Sequence, residues 1–370
     1  MTNYNVDLDY VVIGSGISVE ELLEISAEAD IIIGKGSVDP GKKAQAYLKK
    51  AQCLQILGEY EESSEALEKA LELQPEMPEA LVRKGIIADE KEQYPQARAL
   101  YVRAIQLNPE YTYAYYNRGQ SFINEGNYAA AVADYKKAIQ LNPEYLQPYF
   151  FLGMVLNLYG KPKEAIEVFS KAIQLVPNDA VFYRQRGNAN TAQGHHDEAI
   201  ADWTKAIELD GNNVSDYIFR GNAYTFKKKY AEAMADYTSA LQFENSFDLY
   251  FNRGYALSCM GQEYVEQAIL DYSTAIKIAS PEDDLATAYQ NRGILFFTKR
   301  NYAEAIADLT KAIELGKEEE ALPYIWRAKA FAAQGKRPEA IADWDKAKQL
   351  DTSVFNTGTD PDIFWEMNDE

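Results

Sequence analysis

Two cysteines and two histidines among 370 residues leave little from which to build a metal centre or a thiol site. Cys53 and Cys259 lie far apart in the chain, and neither has a second thiol or a histidine at metal-ligand spacing. Both are expected to be reduced, buried small hydrophobes. His195 and His196 directly follow Gly194 and are expected in a solvent-exposed turn. No Ser–His–Asp, Cys–His or HExxH arrangement occurs, so the sequence predicts no catalytic residue, no metal ligand and no cofactor. The expectation is a non-enzyme. No apolar stretch approaches the roughly 20 residues of a membrane span. The amino terminus also lacks a basic segment followed by an apolar run. A soluble, cytoplasmic chain without membrane insertion is the expectation.

Positive charge is scarce as well. The chain has 37 Lys and Arg against 57 Asp and Glu, a net charge of -20. Nucleic acid is a poor partner for it, because that grip depends on many Lys or Arg contacts to phosphate. An anionic membrane surface is disfavoured for the same reason. The acids gather at the ends: residues 1–41 hold eight against Lys35 alone, and residues 352–370 hold five with no base.

What the chain does have is periodicity. Ala51, Gly85, Gly119, Gly153, Gly187, Gly221, Gly254, Gly293 and Ala328 follow one another at intervals of 34, 34, 34, 34, 34, 33, 39 and 35 residues. Self-similarity at this period marks stacked supersecondary units, not a single globular core. Within the unit that opens at Thr112, Tyr115, Arg118, Gly119 and Phe122 share one face of a first helix. Glu125-Gly126-Asn127 breaks it, and Ala131, Tyr135 and Ala138 form the stripe of a second helix that stops at Asn142-Pro143. Such a pair packs antiparallel. Gly119 is expected to face Ala131 at the crossing, and likewise Gly153 Ala165, Gly187 Ala199, Gly221 Ala233 and Gly254 Ala268. A second alanine series, from Ala70 to Ala347, marks another tight contact, and rings such as Tyr101, Tyr135, Phe169, Trp203, Tyr237 and Tyr272 fill the remaining core.

Small, aromatic, alanine and proline positions that recur in phase over residues 45–352 resemble the tetratricopeptide repeat family. The resemblance implies an all-α fold, a right-handed α-solenoid of antiparallel helix pairs. Nine units are expected at about 44–77, 78–111, 112–145, 146–179, 180–213, 214–246, 247–285, 286–320 and 321–352, filling residues 42–352. An acidic segment with a short capping helix (1–41) precedes them, and an acidic tail with an apolar segment (353–370) follows. The long interval after Gly254 places two extra residues near Gln262-Glu263-Tyr264 and about three more in Pro281-Glu282-Asp283-Asp284, a candidate hinge.

Six units carry Arg just before the small residue and Asp just before the second-helix ring or leucine. The pairs are Arg118 with Asp134, Arg186 with Asp202, Arg220 with Asp236, Arg253 with Asp271, Arg292 with Asp308 and Arg327 with Asp343. The other three units lack both members, so a structural ion pair bridging the two helices of each repeat is expected.

By the family's geometry, first helices line a concave groove. Here they would present Tyr116, Asn117, Phe150, Arg184, Asn188, Phe219, Asn222, Asn252, Tyr255 and Asn291 to a protein or peptide ligand. Amides can bond a peptide backbone while rings hold its apolar side chains. One subset of the family grips acidic chaperone tails with a Lys/Asn/Arg clamp, but Phe219 stands where that clamp needs Asn, and Asp248 and Asn252 replace its basic pair. The functional expectation is a non-catalytic scaffold or adaptor. The alternative is a regulatory or assembly-factor subunit that binds through its convex face or termini.

At the ends, Asp9-Tyr10-Val11-Val12-Ile13-Gly14-Ser15-Gly16 resembles a dinucleotide-binding turn, but Val19 occupies the third glycine position and repeats begin too soon for a nucleotide fold. Ser18 with Glu21 instead forms the pattern of a capping box that starts a helix through Leu22, Leu23 and Ile25. Gly34-Lys35-Gly36-Ser37 lacks phosphate-loop spacing and is expected to be a turn. Ile363-Phe364-Trp365-Glu366-Met367 is expected to fold back over the ninth repeat or to dock on another protein.

Overall fold

The structure, a computed structural model, describes residues 18–36 and 38–351. The glycine-containing turn at residues 9–16, Ser37 and the apolar tail at 363–367 lie outside the described residues. Nineteen α-helices and no strand occur among the described residues, in two compact units, Met1–Pro177 and Asn178–Glu370.

In the first unit α1 (Val19–Gly34) precedes four hairpins: α2 (Pro40–Ile56) with α3 (Tyr60–Leu73), α4 (Pro78–Glu90) with α5 (Tyr94–Leu107), α6 (Thr112–Asn124) with α7 (Tyr128–Leu141), and α8 (Leu146–Leu158) with α9 (Pro162–Leu175). Ser18 caps α1 through a complete capping box: its backbone N–H donates to Glu21 Oε2 at 2.7 Å, and its Oγ accepts from the Glu21 N–H at 3.2 Å. Leu22 and Ile25 on α1 pack against Cys53 and Ile56 of α2, so the first hairpin does not present that flank to water.

The second unit has five hairpins: α10 (Ala180–Ala192) with α11 (His196–Leu209), α12 (Val214–Phe226) with α13 (Tyr230–Ala240), α14 (Phe247–Met260) with α15 (Val265–Ile278), α16 (Leu285–Thr298) with α17 (Tyr302–Ala312), and α18 (Ala321–Ala333) with α19 (Arg337–Leu350). Within each unit a helix packs against its hairpin partner, and each second helix packs against the next first helix. This is an α-solenoid of antiparallel pairs.

One device closes eight of the nine hairpins. In α6–α7, the Asn127 N–H donates to the Phe122 carbonyl at 2.8 Å and the Gly126 N–H to the Ile123 carbonyl at 2.8 Å, a Schellman-type stop. Gly126 sits at φ 77, the left-handed region in which glycine has no Cβ penalty. Glu92, Lys228 and Arg300 hold the equivalent place at φ 58, 57 and 64, with no glycine to ease it. The seventh hairpin departs from the rule: its two extra residues form a short 3-10 turn, Gln262–Tyr264, behind Gly261 at φ 131. The three added near Pro281 lengthen the loop before α16.

The crossing contact keeps the expected glycine–alanine opposition at Gly254, whose nearest neighbours include the Ala268 carbonyl at 3.4 Å, but at Gly119, Gly153, Gly187 and Gly221 the nearest atoms belong to the second-helix ring. A Cβ on Gly119 would lie 2.7 Å from Tyr135 Cε1, and one on Gly221 would lie 2.9 Å from Tyr237 Cε1. There the edge of the second-helix ring, one turn beyond the alanine, lies against the bare backbone. Small residues are therefore needed to seat a ring, and the alanines merely let the helices close on it. Those rings are fully buried, as is every alanine of the second series from Ala70 to Ala347. Each such ring contributes about 1.5–3 kcal/mol of burial. The cysteines also differ from each other: both are free, but only Cys53 is buried, while Cys259 is exposed near the end of α14. His195 is exposed as expected, whereas His196 is half-buried, its ring 4.0 Å from that of the exposed Phe226.

Candidate partner-binding site

The first helices of the second unit come together in sequence, α12 with α14, α14 with α16 and α16 with α18. Two of the buried rings bond first-helix amides, one beside the small position of its own hairpin and one on the first helix of the next hairpin. Tyr237 Oη donates to Asn222 Oδ1 at 2.7 Å, and Asn291 Nδ2 donates to Tyr272 Oη at 3.3 Å. In the fifth hairpin the ring is Trp203, stacked at 5.8 Å on Phe219, and its buried Nε1–H has no hydrogen-bond partner. Asn188, one residue past Gly187, is half-buried. Phe219 and Tyr255 are each 42% exposed, high for large side chains on helices that pack so closely. Asn222 is exposed, and Asn252 and Asn291 are half-buried.

Arg184 is already engaged. Its Nε donates to the Asp216 carboxylate at 2.7 and 2.9 Å, and its Nη2 to Asp210 at 2.6 Å. The hydrogen bond from Arg184 holds the Asp210 carboxyl below its ordinary range, whereas burial pushes Asp216 up. The guanidinium thus ties α10 to the start of α12 and the loop before it, and is not presented to a ligand.

In the first unit Asn117 is buried and donates back to the Tyr113 carbonyl at 2.7 Å. Tyr116 joins a ring cluster, 5.3 Å from Tyr145, 5.9 Å from Phe151 and 6.2 Å from Tyr135. Phe150 stands edge-on to Phe151 at 5.2 Å. Burial pushes the Tyr116 phenol up to about 12. Tyr116 thus packs its hairpin against the next, whereas Asn117 and Phe150 are engaged on their own helices. The open aromatic and amide surface belongs to the second unit.

Every Arg of the six repeats meets the Asp of its own hairpin: the closest contacts are 2.7 Å for Arg118–Asp134, 2.6 Å for Arg186–Asp202 and Arg220–Asp236, 2.8 Å for Arg253–Asp271, 2.7 Å for Arg292–Asp308 and 2.6 Å for Arg327–Asp343. The pairs are forked, as between Arg220 Nε and Asp236 Oδ2 at 2.9 Å and between Nη2 and Oδ1 at 2.6 Å. A further contact has no counterpart in the sequence reading. The free Nη1 of Arg220, Arg253, Arg292 and Arg327 reaches back to the preceding hairpin, to Thr204 at 3.0 Å, Thr238 at 3.3 Å, Ser273 at 2.9 Å and Thr310 at 3.0 Å. Each guanidinium therefore joins the helices of one repeat and the repeat to its predecessor. The signal was a hydroxyl residue directly after the core ring or leucine in the repeats that precede these four arginines. A tyrosine three residues before the arginine, such as Tyr250 at 5.6 Å from Arg253, covers the guanidinium face.

No group of three metal-ligating side chains occurs among the described residues, and no helix there is long and apolar enough to cross a membrane. What the surface offers is shape, rings and amides.

Profiles described as "Tetratricopeptide repeat" match residues 44–77, 112–145, 146–179, 180–213, 217–246 and 291–353, and one described as "TPR repeat" matches residues 90–126. Among curated proteins, "Protein unc-45 homolog B" of Danio rerio is 36% identical over 89 residues, which are 24% of this chain and 9% of that protein. The match thus spans a small part of that relative. Among solved structures, YrrB, titled a TPR protein with an unusual peptide-binding site, is 24% identical at a TM-score of 0.45, covering 50% of this chain and 96% of its own. A tetratricopeptide repeat protein from Parabacteroides merdae is 19% identical at a TM-score of 0.46, covering 69% of this chain and 100% of its own. Matched over well more than half its length, the chain belongs to the tetratricopeptide repeat family, whose folds are typically non-catalytic scaffolds for protein interaction.

Proposed function

We propose that this protein is a non-catalytic adaptor that holds an extended segment of a partner protein against the first helices of its second unit. The observation that carries the reading is the exposure of Phe219 and Tyr255 on α12 and α14, at 42% each, amid the amides Asn188, Asn222 and Asn252. Rings anchored in a packed wall offer a partner apolar area at low entropic cost, and central aromatic anchors dominate binding energy at protein interfaces. Asn188 and Asn252 can pair with a peptide backbone whatever its sequence.

The test is quantitative affinity capture with the full chain, comparing wild type with Phe219→Ala/Tyr255→Ala. The expected result is loss of specific partners by the variant at unchanged helicity. Identical recoveries would defeat the reading and move the contact elsewhere, for instance to second helices, where Leu270 is 64% exposed.

A further inference from the structure

At the amino-terminal end of the first unit, a cavity of about 650 Å³ opens between α1, the start of α2 and the C-cap of α3 at Gln74. Ligand pockets commonly enclose roughly 300–1,000 Å³. Its floor includes Ile25, Ala29 and Ile32 of α1, and Ala29 is only 2% exposed. Three lysines, Lys35, Lys42 and Lys49, stand around it. None has a carboxylate partner among the described residues, whereas the neighbouring Lys50 is paired with Asp30 at 2.7 Å. The other charged lining residues are Glu28 and Asp39. Asp39 is committed as the N-cap of α2, its Oδ1 accepting from the Gly41 and Lys42 N–H groups at 3.0 and 3.2 Å. In a chain of net charge -20, cations therefore predominate around an apolar hollow.

Their spacing selects the ligand. Lys42 and Lys49 are two helical turns apart, roughly 10 Å along α2. A phosphate or a fatty-acid carboxylate presents its charge at one point and would engage one of them. An extended peptide, at about 3.3–3.6 Å per residue, sets two carboxylates that distance apart within three or four residues. We propose that this cavity is a second docking site, separate from the first-helix face of the other unit, for an acidic peptide segment. One large apolar side chain of the segment fills the hollow while flanking carboxylates meet Lys42 and Lys49. The chain's own sequence supplies a segment of this chemistry: residues 360–370, Asp-Pro-Asp-Ile-Phe-Trp-Glu-Met-Asn-Asp-Glu, carry five acids and no base around four large apolar residues.

The test is a fluorescence-anisotropy titration of a labelled synthetic peptide of residues 360–370. The receptor is the full chain carrying Phe364→Ala and Trp365→Ala, so that its own copy of the segment does not compete. Saturable binding is expected, weakened at least about tenfold by Lys42→Glu/Lys49→Glu, with each residue expected to contribute as an interfacial charge pair does. Lys42→Gln/Lys49→Gln, which removes charge without repulsion, is expected to weaken it less, and added salt to weaken it further. Phe219→Ala/Tyr255→Ala in the receptor should leave the titration unchanged, so this site and the proposed partner face fail or stand separately. Absence of saturable binding would overturn the proposal. So would equal affinity of both lysine variants at wild-type helicity, or binding of dodecanoate at this cavity in place of the peptide.

Discussion

Arg220 and Asp236 face each other across the α12–α13 hairpin through two near-parallel hydrogen bonds of 2.9 and 2.6 Å, with side chains only 17% and 6% exposed. Burial alone would lower the guanidinium, but the hydrogen bond and charge of Asp236 carry it above its ordinary value. Burial drives the Asp236 carboxyl up, and Arg220 pulls back against that rise. The aspartate thus stays charged largely because its arginine is there. Removing one partner strands the other, which is what makes a buried pair costly to break.

A double-mutant cycle tests the pair. Arg220→Met and Asp236→Leu should each cost about 3–5 kcal/mol, and the double variant should cost clearly less than their sum. Chemical denaturation of the four proteins measures this. Costs that add to within about 0.5 kcal/mol would mean that the two side chains do not interact.

The ring-on-glycine contact predicts opposite outcomes for one substitution at two sites. In Gly119→Ala the new methyl would lie 2.7 Å from the Tyr135 ring, which is pinned because Tyr135 Oη donates to Gln120 at 2.5 Å. Overpacking of this kind costs about 1–3 kcal/mol. Around Gly254 the nearest atoms lie at 3.4 Å, ordinary contact, and here the helix preference of alanine over glycine, about 1 kcal/mol, decides the sign. Gly119→Ala should lower the thermal midpoint and Gly254→Ala should leave it unchanged or raise it. Equal losses at both would contradict the packing described.

Replacing Lys228 should stabilise the chain. Its φ of 57 places an L-residue where Gly126, Gly160 and Gly194 stand in sister hairpins, at φ 77, 67 and 80. Left-handed backbone costs a residue with a Cβ about 1–2 kcal/mol, partly offset by glycine's greater freedom when unfolded. Lys228→Gly is expected to raise the midpoint, and a fall would show that the side chain contributes more than its backbone strain removes.

Alkali should weaken the first unit before strong base is reached. Burial pushes the Cys53 thiol from its usual value of 9.0 up to about 11, and the Tyr116 phenol from 10.0 to about 12. Both groups hold their protons more tightly folded than unfolded, so the stability they contribute is complete below pH 9 and is lost as pH rises through 11 and 12. Melting followed by circular dichroism from pH 8 to 12 should show a steady decline, and a flat profile would contradict the burial. At pH 8 a thiol reagent should modify the exposed Cys259 alone until the chain unfolds.

Periodic features were legible in the chain because each repeat is a parallel experiment. Arg and Asp occur together or not at all across nine units, and that covariation within one sequence isolates a contact. The hydroxyls of Thr204 and Ser273 recur less conspicuously, because a Ser or Thr on a second helix also suits a solvated face. Contacts between repeats were harder still. Arg184 reads as an open groove residue until Asp216 and Asp210, 32 and 26 positions downstream, are seen to enclose it. Asn117 turns back on its own helix, a choice that sequence spacing does not reveal. Of the aromatic groove positions, Phe219 and Tyr255 keep the exposure that a binding role needs.

Hydrogen–deuterium exchange on the full chain, with and without the most enriched captured partner, tests the central claim most directly. The account predicts slowed exchange in α12 and α14, around Phe219 and Tyr255, with α13 and α15 unchanged. Protection confined to the second helices, or to the amino-terminal cavity alone, would contradict it.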